Sequence, residues 1–239
     1  MNLILFEPEQ IDVPLSRNDR RAIHLLDVLR RKEGDAFDAG IVNGPRGKGT
    51  LSRISDSSLL FEFMPTAEMP TSAPVTLVIG LPRPQTARAI LREMTSLGVA
   101  AIHFVTTEKG DPNYANSTLW QNGEWRRHLV LGAEQAFCTR IPEITFGNSL
   151  SSVITELSTP GTARIALDNY ESPMALSQLT PRERTVTLAI GPERGWSASE
   201  RDSLRQHGFS LAHLGTRVLR TETACIGATI LLKAKLGWL

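Results

Sequence analysis

Two glycine-containing turns late in the chain hold the residue types best suited to chemistry. The first reads Ile190-Gly191-Pro192-Glu193-Arg194-Gly195-Trp196-Ser197-Ala198-Ser199-Glu200. The second reads Leu214-Gly215-Thr216-Arg217-Val218-Leu219-Arg220-Thr221-Glu222-Thr223-Ala224. Each follows an apolar run that reads as a strand and precedes a run that reads as a helix. Two such loops side by side at the end of a parallel sheet make a crevice for a small polar ligand. Gly191 allows a sharp exit from the strand and close approach of a ligand. Pro192 removes an amide donor and stiffens the turn. Ser197 and Glu200 have the spacing of a capping box for the next helix.

The kind of ligand follows from what the loops carry and lack. Neither Gly-x-x-x-x-Gly-Lys-Ser/Thr nor Gly-x-Gly-x-x-Gly is present, and Glu193 at the mouth disfavours a polyphosphate. Val218 and Leu219 are apolar in what should be an exposed loop, which suits packing against a flat ring or under another loop. Arg217, Arg220 and Glu222 stand beside them. Both signs of charge around an apolar slot fit an adenine-bearing zwitterion such as S-adenosylmethionine. An ordinary dinucleotide site would need glycines after an early strand. The run 75–80 is followed instead by Leu81-Pro82-Arg83-Pro84-Gln85, whose prolines deny amide donors to a pyrophosphate.

The elements that must hold these loops divide the chain in two. Residues 1–70 read as short strands (2–6, 35–41, 50–54, 59–64) with tight turns, the pattern of a small β-barrel. One short helix interrupts them at 18–29, with Ile23, Leu26 and Leu29 on one face and Asn18 as its cap. The proline-rich stretch 64–74 reads as a linker. From residue 74 to 239 apolar strands (75–80, 101–106, 163–167, 186–191, 210–214) alternate with helices (86–97, 120–137, 200–207, 222–236). That alternation implies an α/β domain with a parallel sheet covered on both faces.

Composition narrows the classes. The net charge is +1 over 239 residues, which decides nothing about nucleic acid. Within residues 1–70, however, Arg17, Arg20, Arg21, Arg30, Arg31 and Lys32 cluster, and a local basic face can bind phosphate. Cys138 and Cys225 have neither disulfide-framework nor zinc spacing, and His24, His103, His128, His207 and His213 form no metal-ligand pairing. No metal is expected. The N-terminal run lacks a basic leader, and no apolar stretch approaches the ~20 residues a membrane helix needs. A cytoplasmic protein without a membrane partner is expected.

The two loops resemble the RsmE family of SPOUT methyltransferases, whose pattern runs roughly I-G-P-E-G-G-x-S-x-x-E and then L-G-x-R-[IV]-L-R-x-E-T-A. The likeness is collinear over the whole chain. His24-Leu25-Leu26-Asp27-Val28-Leu29-Arg30 is similar to the family's H-L-x-x-V-L-R segment, and Ala133-Glu134-Gln135 with Arg140-Ile141-Pro142 is similar to its A-x-E-Q…R-x-P segment. The resemblance implies a PUA-like RNA-binding β-barrel over 1–70 and a trefoil-knotted α/β domain over 74–239. It implies methylation of N3 of a uridine in small-subunit (16S) ribosomal RNA with S-adenosylmethionine, by a homodimer with its active site near the subunit interface. Cofactor contacts are implied at Leu167, Ala189, Ile190, Gly191, Pro192 and Gly195 from the first half of the site. Leu214, Gly215, Val218, Leu219, Thr223 and Ala224 complete them.

Methylating N3 means losing a weakly acidic imide proton, so a base or charge stabilisation is required. Glu193 and Glu222 are the candidate carboxylates. Arg220 is the first candidate to stabilise the developing uracil oxyanion, with Arg83 as another. A carboxylate at the start of a helix is favourable for stability alone, so Glu222 has a structural reading too. The six basic residues of the first domain, together with Arg83, are the expected RNA contacts. They would give affinity without reading sequence. Because N3 is hidden in a base pair, a flipped-out uridine is expected. The chain departs from the family pattern at Arg194, where the first of two paired glycines is usual. It departs also at Arg83 and Arg92, where lysines are common, and at Ser96. These departures motivate one alternative, a non-catalytic or retargeted RNA-binding paralogue.

Overall fold

The computed structural model describes residues 3–239, so Asn2, which opens the first predicted strand, lies outside the described residues. The chain divides into two compact units, Met1–Thr71 with Val130–Ile141, and Ser72–Leu129 with Pro142–Leu239.

In the first unit, β1 (Ile4–Phe6), β2 (Leu15–Ser16), β3 (Ala36–Ile41), β4 (Arg46–Ile54) and β5 (Ser58–Ala67) form one sheet in the order β1-β3-β4-β5-β2. β1 and β3 are parallel, and the other neighbours are antiparallel. Their inward residues, among them Ile4, Phe6, Phe37, Leu51 and Leu59, make a core of their own. Both β4 and β5 run longer than the predicted strands, and β5 takes in Met64–Ala67 from the stretch read as linker.

The helix predicted over 18–29 is different in detail. Only Arg20–Ile23 (α1) is α-helical, and His24–Val28 forms a wider π turn closed by the Leu29 amide bonding to the His24 carbonyl at 2.9 Å. The extra residue in that turn changes the inward face. Leu26 and Leu29 pack against the core as expected, Ala22 and Leu25 are fully buried, and Ile23 is 46 % exposed. The cap is Asp19, whose carboxylate accepts the Arg21 amide at 2.8 Å, and not Asn18.

The second unit is built on seven parallel strands. In chain order its elements are β6 (Ala73–Gly80), α2 (Pro84–Ser96), β7 (Val99–Thr106), α3 (Thr118–Gln121), α4 (Glu124–Gln135, of which residues from 130 on belong to the first unit), β8 (Glu143–Ser149) and α5 (Leu150–Glu156). Then follow β9 (Thr162–Leu167), β10 (Met174–Ala175), β11 (Thr185–Ile190), α6 (Ala198–Gln206), β12 (Ser210–His213) and α7 (Thr221–Leu236). The sheet order is β10-β12-β9-β11-β6-β7-β8. The helix predicted over 120–137 is broken at Gly123, which takes φ 69°. Strand β8 escapes an apolar-run reading because it is an edge strand, mostly exposed, and α5 after it is only seven residues long. One core cluster holds Val78, Val105, Ala166, Ala189 and Trp196 together with the apolar faces of α5 and α6.

Candidate functional site

Sheet order fixes where the site lies. β6 is followed in sequence by β7 on one side, and its other neighbour β11 is followed by β12 on the opposite side. Between β6 and β11 the order reverses, and a crevice opens at the carboxyl ends of the strands at such a point. The loops after β6, β9, β11 and β12 and the first turn of α7 meet there around a cavity of about 420 Å³. That size lies within the ~300–1,000 Å³ usual for small-molecule sites.

The loop after β11 owes its path to two glycines. A Cβ on Gly191 would stand 3.1 Å from the Gly195 Cα and 3.2 Å from the Trp196 nitrogen, so a side chain there would press on backbone that must give by a few tenths of an ångström. Gly195 takes φ 66°, a left-handed conformation that costs an L-residue about 1–2 kcal/mol. Arg194 is not among the positive-φ residues, so the arginine sits at a position that does not demand glycine, with its side chain exposed at the cavity rim. The capping box forms as the spacing predicts. The Ser197 hydroxyl accepts the Glu200 amide at 3.1 Å, and the Glu200 carboxylate accepts the Ser197 amide at 2.8 Å.

Beneath the cavity the loops are tied together by buried groups. Trp196 is fully buried, and its indole N–H donates to the Leu167 carbonyl at 3.0 Å. The Trp196 carbonyl accepts from Lys109 Nζ at 2.8 Å and from Arg201 Nη1 at 2.9 Å. Arg201 also lies 3.6 Å from the Asp168 carboxylate and bonds Glu171 at 2.8 Å. Asp168 turns the loop after β9 by accepting the amides of Tyr170 and Glu171 at 2.8 and 2.6 Å. The Arg205 guanidinium bonds the same Glu171 and, with Arg201, holds its carboxyl below the usual range.

The predicted residues separate on this frame. Leu167, Ile190, Gly191, Pro192 and Gly195 line the cavity from one side, and Leu214, Val218, Leu219 and Ala224 line it from the other. Ala189 is instead fully buried in the core cluster, because strand alternation turns it away. Gly215 makes its turn at φ 107°, and it and Thr223 are not lining residues. Arg83, Glu193, Arg220 and Glu222 all line the cavity. Glu193 is already engaged: its carboxylate accepts the Arg83 amide at 3.1 Å and stands 3.9 Å from Arg83 Nε. The Asp168-Asn169-Tyr170 loop and Thr86 also line the cavity and were not singled out in the sequence. The carboxyl end of the strand 163–167 was the available signal.

Electrostatics and packing indicate what the cavity accepts. Arg220 is the N-cap residue of α7 in extended conformation, with no side-chain cap bond. The uncapped amino end of a sixteen-residue helix therefore opens beside Thr221 and Glu222 at the cavity wall, where its dipole favours negative charge. Val218 is 81 % exposed and Leu219 38 % exposed, an apolar pair that a flat ring would cover. A slot with apolar walls, an acidic side and an anion-favouring helix end fits the adenine, sulfonium and carboxylate of S-adenosylmethionine.

The basic residues of the first unit have different fates. Arg21 is held by Asp19 and Gln10 and packs over the Phe6 ring at 4.8 Å. Arg20 pairs with Glu134 at 3.3 Å, and Arg17 donates to the Ser55 carbonyl. Arg30, Arg31 and Lys32 are exposed. Among the described residues no cluster of His, Cys, Asp or Glu is placed to hold a metal ion. No helix there is long and apolar enough to cross a membrane.

Comparison with known proteins bears on this geometry. A family profile described as "RNA methyltransferase domain" matches residues 69–233. The ribosomal RNA small subunit methyltransferase E of Treponema pallidum is 35 % identical over all of this chain and 93 % of its own length. A Borreliella burgdorferi protein, ribosomal RNA small subunit methyltransferase E 1, is 30 % identical over 99 % of both chains. Among solved structures, a Neisseria gonorrhoeae ribosomal RNA small subunit methyltransferase E bound to S-adenosyl methionine superposes with TM-score 0.78 at 20 % identity, covering 98 % of this chain and 97 % of its own. A probable rRNA-methyltransferase from Porphyromonas gingivalis gives 0.81 at 22 %, covering 99 % of each. These two likenesses show a shared fold.

Proposed function

The chain belongs to the RNA methyltransferase family that includes ribosomal RNA small subunit methyltransferase E, and we propose that it methylates N3 of a uridine in 16S ribosomal RNA using S-adenosylmethionine. The observation that carries this reading is the cavity at the strand-order reversal, where both glycine loops and Arg220 with Glu222 converge.

Leu167, Ile190, Leu214, Val218 and Leu219 would hold the adenosyl part, with the Gly191–Gly195 turn allowing close backbone approach. Bound there, the cofactor supplies an electrophilic methyl group. The chain's own residues do the rest. Arg220, beside the uncapped start of α7, stabilises the negative charge that develops on a uracil oxygen as the imide proton leaves. Glu222 accepts that proton, because Glu193 is committed to Arg83. Fixing the uracil against the cofactor slot supplies the orientation on which in-line transfer depends.

Arg30, Arg31 and Lys32 contribute phosphate contacts from the first unit; Arg20 and Arg21 serve its internal structure. The finer architecture in this proposal is a PUA-like barrel in the first unit and a trefoil knot in the second. Insertion of β11 between β6 and β9, both earlier in the chain, supports a threaded path. A homodimer acting in the cytoplasm completes the reading. Transfer of label from methyl-labelled S-adenosylmethionine to 16S RNA in small ribosomal subunits tests it; unlabelled RNA in the presence of bound cofactor would overturn it.

A further inference from the structure

A large aromatic side chain stands in the open at the mouth of the cavity. Tyr170 is 75 % exposed, yet its backbone is firmly placed. Its amide donates to Asp168 at 2.8 Å, and the Asp168 side chain is only 1 % exposed and faces Arg201 at 3.6 Å. The ring itself is flanked by cations, with Arg201 Cζ 5.7 Å and Lys109 Nζ 6.0 Å from its centroid. Both cations are anchored by the Trp196 carbonyl. The ring also lies against the glycine turn, with its Cε2 3.6 Å from where a Gly195 Cβ would be. So the rim offers an exposed aromatic ring on an anchored backbone, and Arg194, Arg217 and Arg220 line the same opening.

Hydrophobic burial does not account for this residue, and a flat ring left in water on a fixed backbone is a stacking surface. The cofactor's adenine has an apolar slot deeper in, formed by Leu167, Ile190 and Leu214. Resting on the proposed RNA methyltransferase activity, we propose that Tyr170 is the platform on which a nucleobase of the RNA stacks when the target nucleotide is drawn out of its helix. A base removed from its helix loses its stacking partners, and an aromatic side chain replaces them. The neighbouring cations make the ring a better partner and leave arginines for the flanking phosphates. Tyr170 is thus a substrate-positioning residue, and its hydroxyl is not needed.

The test compares Tyr170→Leu and Tyr170→Phe with the wild-type chain, using small ribosomal subunits and methyl-labelled S-adenosylmethionine. Loss of one stacked base lowers kcat/KM for the subunits about ten-fold or more in Tyr170→Leu, chiefly through KM, while Tyr170→Phe stays within about two-fold. Cofactor affinity by calorimetry is unchanged in both. Wild-type kcat/KM in Tyr170→Leu overturns the platform alone. A loss that appears in cofactor affinity also overturns it, by assigning the ring to the cofactor. If the wild-type chain itself transfers no methyl group to RNA, the underlying activity fails and the platform with it.

Discussion

Arg201 stands 3.6 Å from Asp168, and the two side chains are only 11 % and 1 % exposed. This buried pair joins the loop after β9 to the loop after β11, because Arg201 also donates to the Trp196 carbonyl. Removing Arg201 leaves the Asp168 charge buried without its cation. Arg201→Met is therefore expected to destabilise the protein by about 3–5 kcal/mol in urea unfolding. Cofactor affinity falls with it, since both loops form the cavity. A variant of wild-type stability and affinity would show that the pair does not organise the site.

The glycine turn makes a sharper prediction about binding without folding. Gly191→Ala places a methyl group 3.1 Å from the Gly195 Cα, where backbone rather than a flexible side chain must yield. S-adenosylmethionine affinity by calorimetry is expected to weaken by about ten-fold, roughly 1.4 kcal/mol. Arg194→Gly, at a position without positive φ, leaves that affinity unchanged. The reverse pattern would mean that the loop's shape rests on Arg194.

Arg220 separates chemistry from binding. If it stabilises the uracil oxyanion, Arg220→Ala lowers kcat by about 10²–10³-fold. Cofactor affinity should hold, because the apolar walls and the glycine turn remain. Single-turnover transfer at saturating cofactor measures this, and an unaltered rate removes Arg220 from the chemistry.

A pH prediction arises away from the cavity, where Glu124 meets Arg88 at 2.9 Å and His128 at 3.2 Å. The hydrogen bonds from Arg88, first, and His128 hold the Glu124 carboxyl at about 2, down from the ordinary 4.5. A depressed carboxylate contributes stability that is complete above its unfolded value and is lost as pH falls through the folded one. The contribution therefore fades between about pH 4.5 and about 2. Arg88→Met should move the NMR-detected Glu124 titration back toward the ordinary value and shift acid unfolding to higher pH. An unmoved titration would contradict the assignment to Arg88.

The sequence announced the strands that are buried on both faces and the two loops that they carry. Val75, Leu77, Val78 and Ile79 make an apolar run broken only at Thr76, because both sides of β6 are covered. The Ser197–Glu200 box was legible because its spacing is its mechanism. Strand β8 was not, since an exposed edge strand has no apolar signature. Of the face expected over 18–29, Leu26 and Leu29 do pack against the core, Ile23 does not, and the π turn that brings Leu25 inward as well is something periodicity does not register. At the site, Leu167 was expected but the adjoining Asp168-Asn169-Tyr170 was not. Its role depends on a partner, Arg201, 33 positions past Asp168 in the chain, and spacing within a motif does not register such a tie. Within the basic cluster Arg17 to Lys32, the ties of Arg20 to Glu134 and of Arg21 to Asp19 and Gln10 are equally invisible in the sequence, since Glu134 lies far along the chain.

Small ribosomal subunits from a strain lacking the modification would be incubated with the protein and S-adenosylmethionine, and the nucleosides of their 16S RNA resolved by mass spectrometry. The expected product is 3-methyluridine at a single position, absent when Arg220→Ala is used. A methyl group on a ribose or on another base, or none while the cofactor binds, would contradict it.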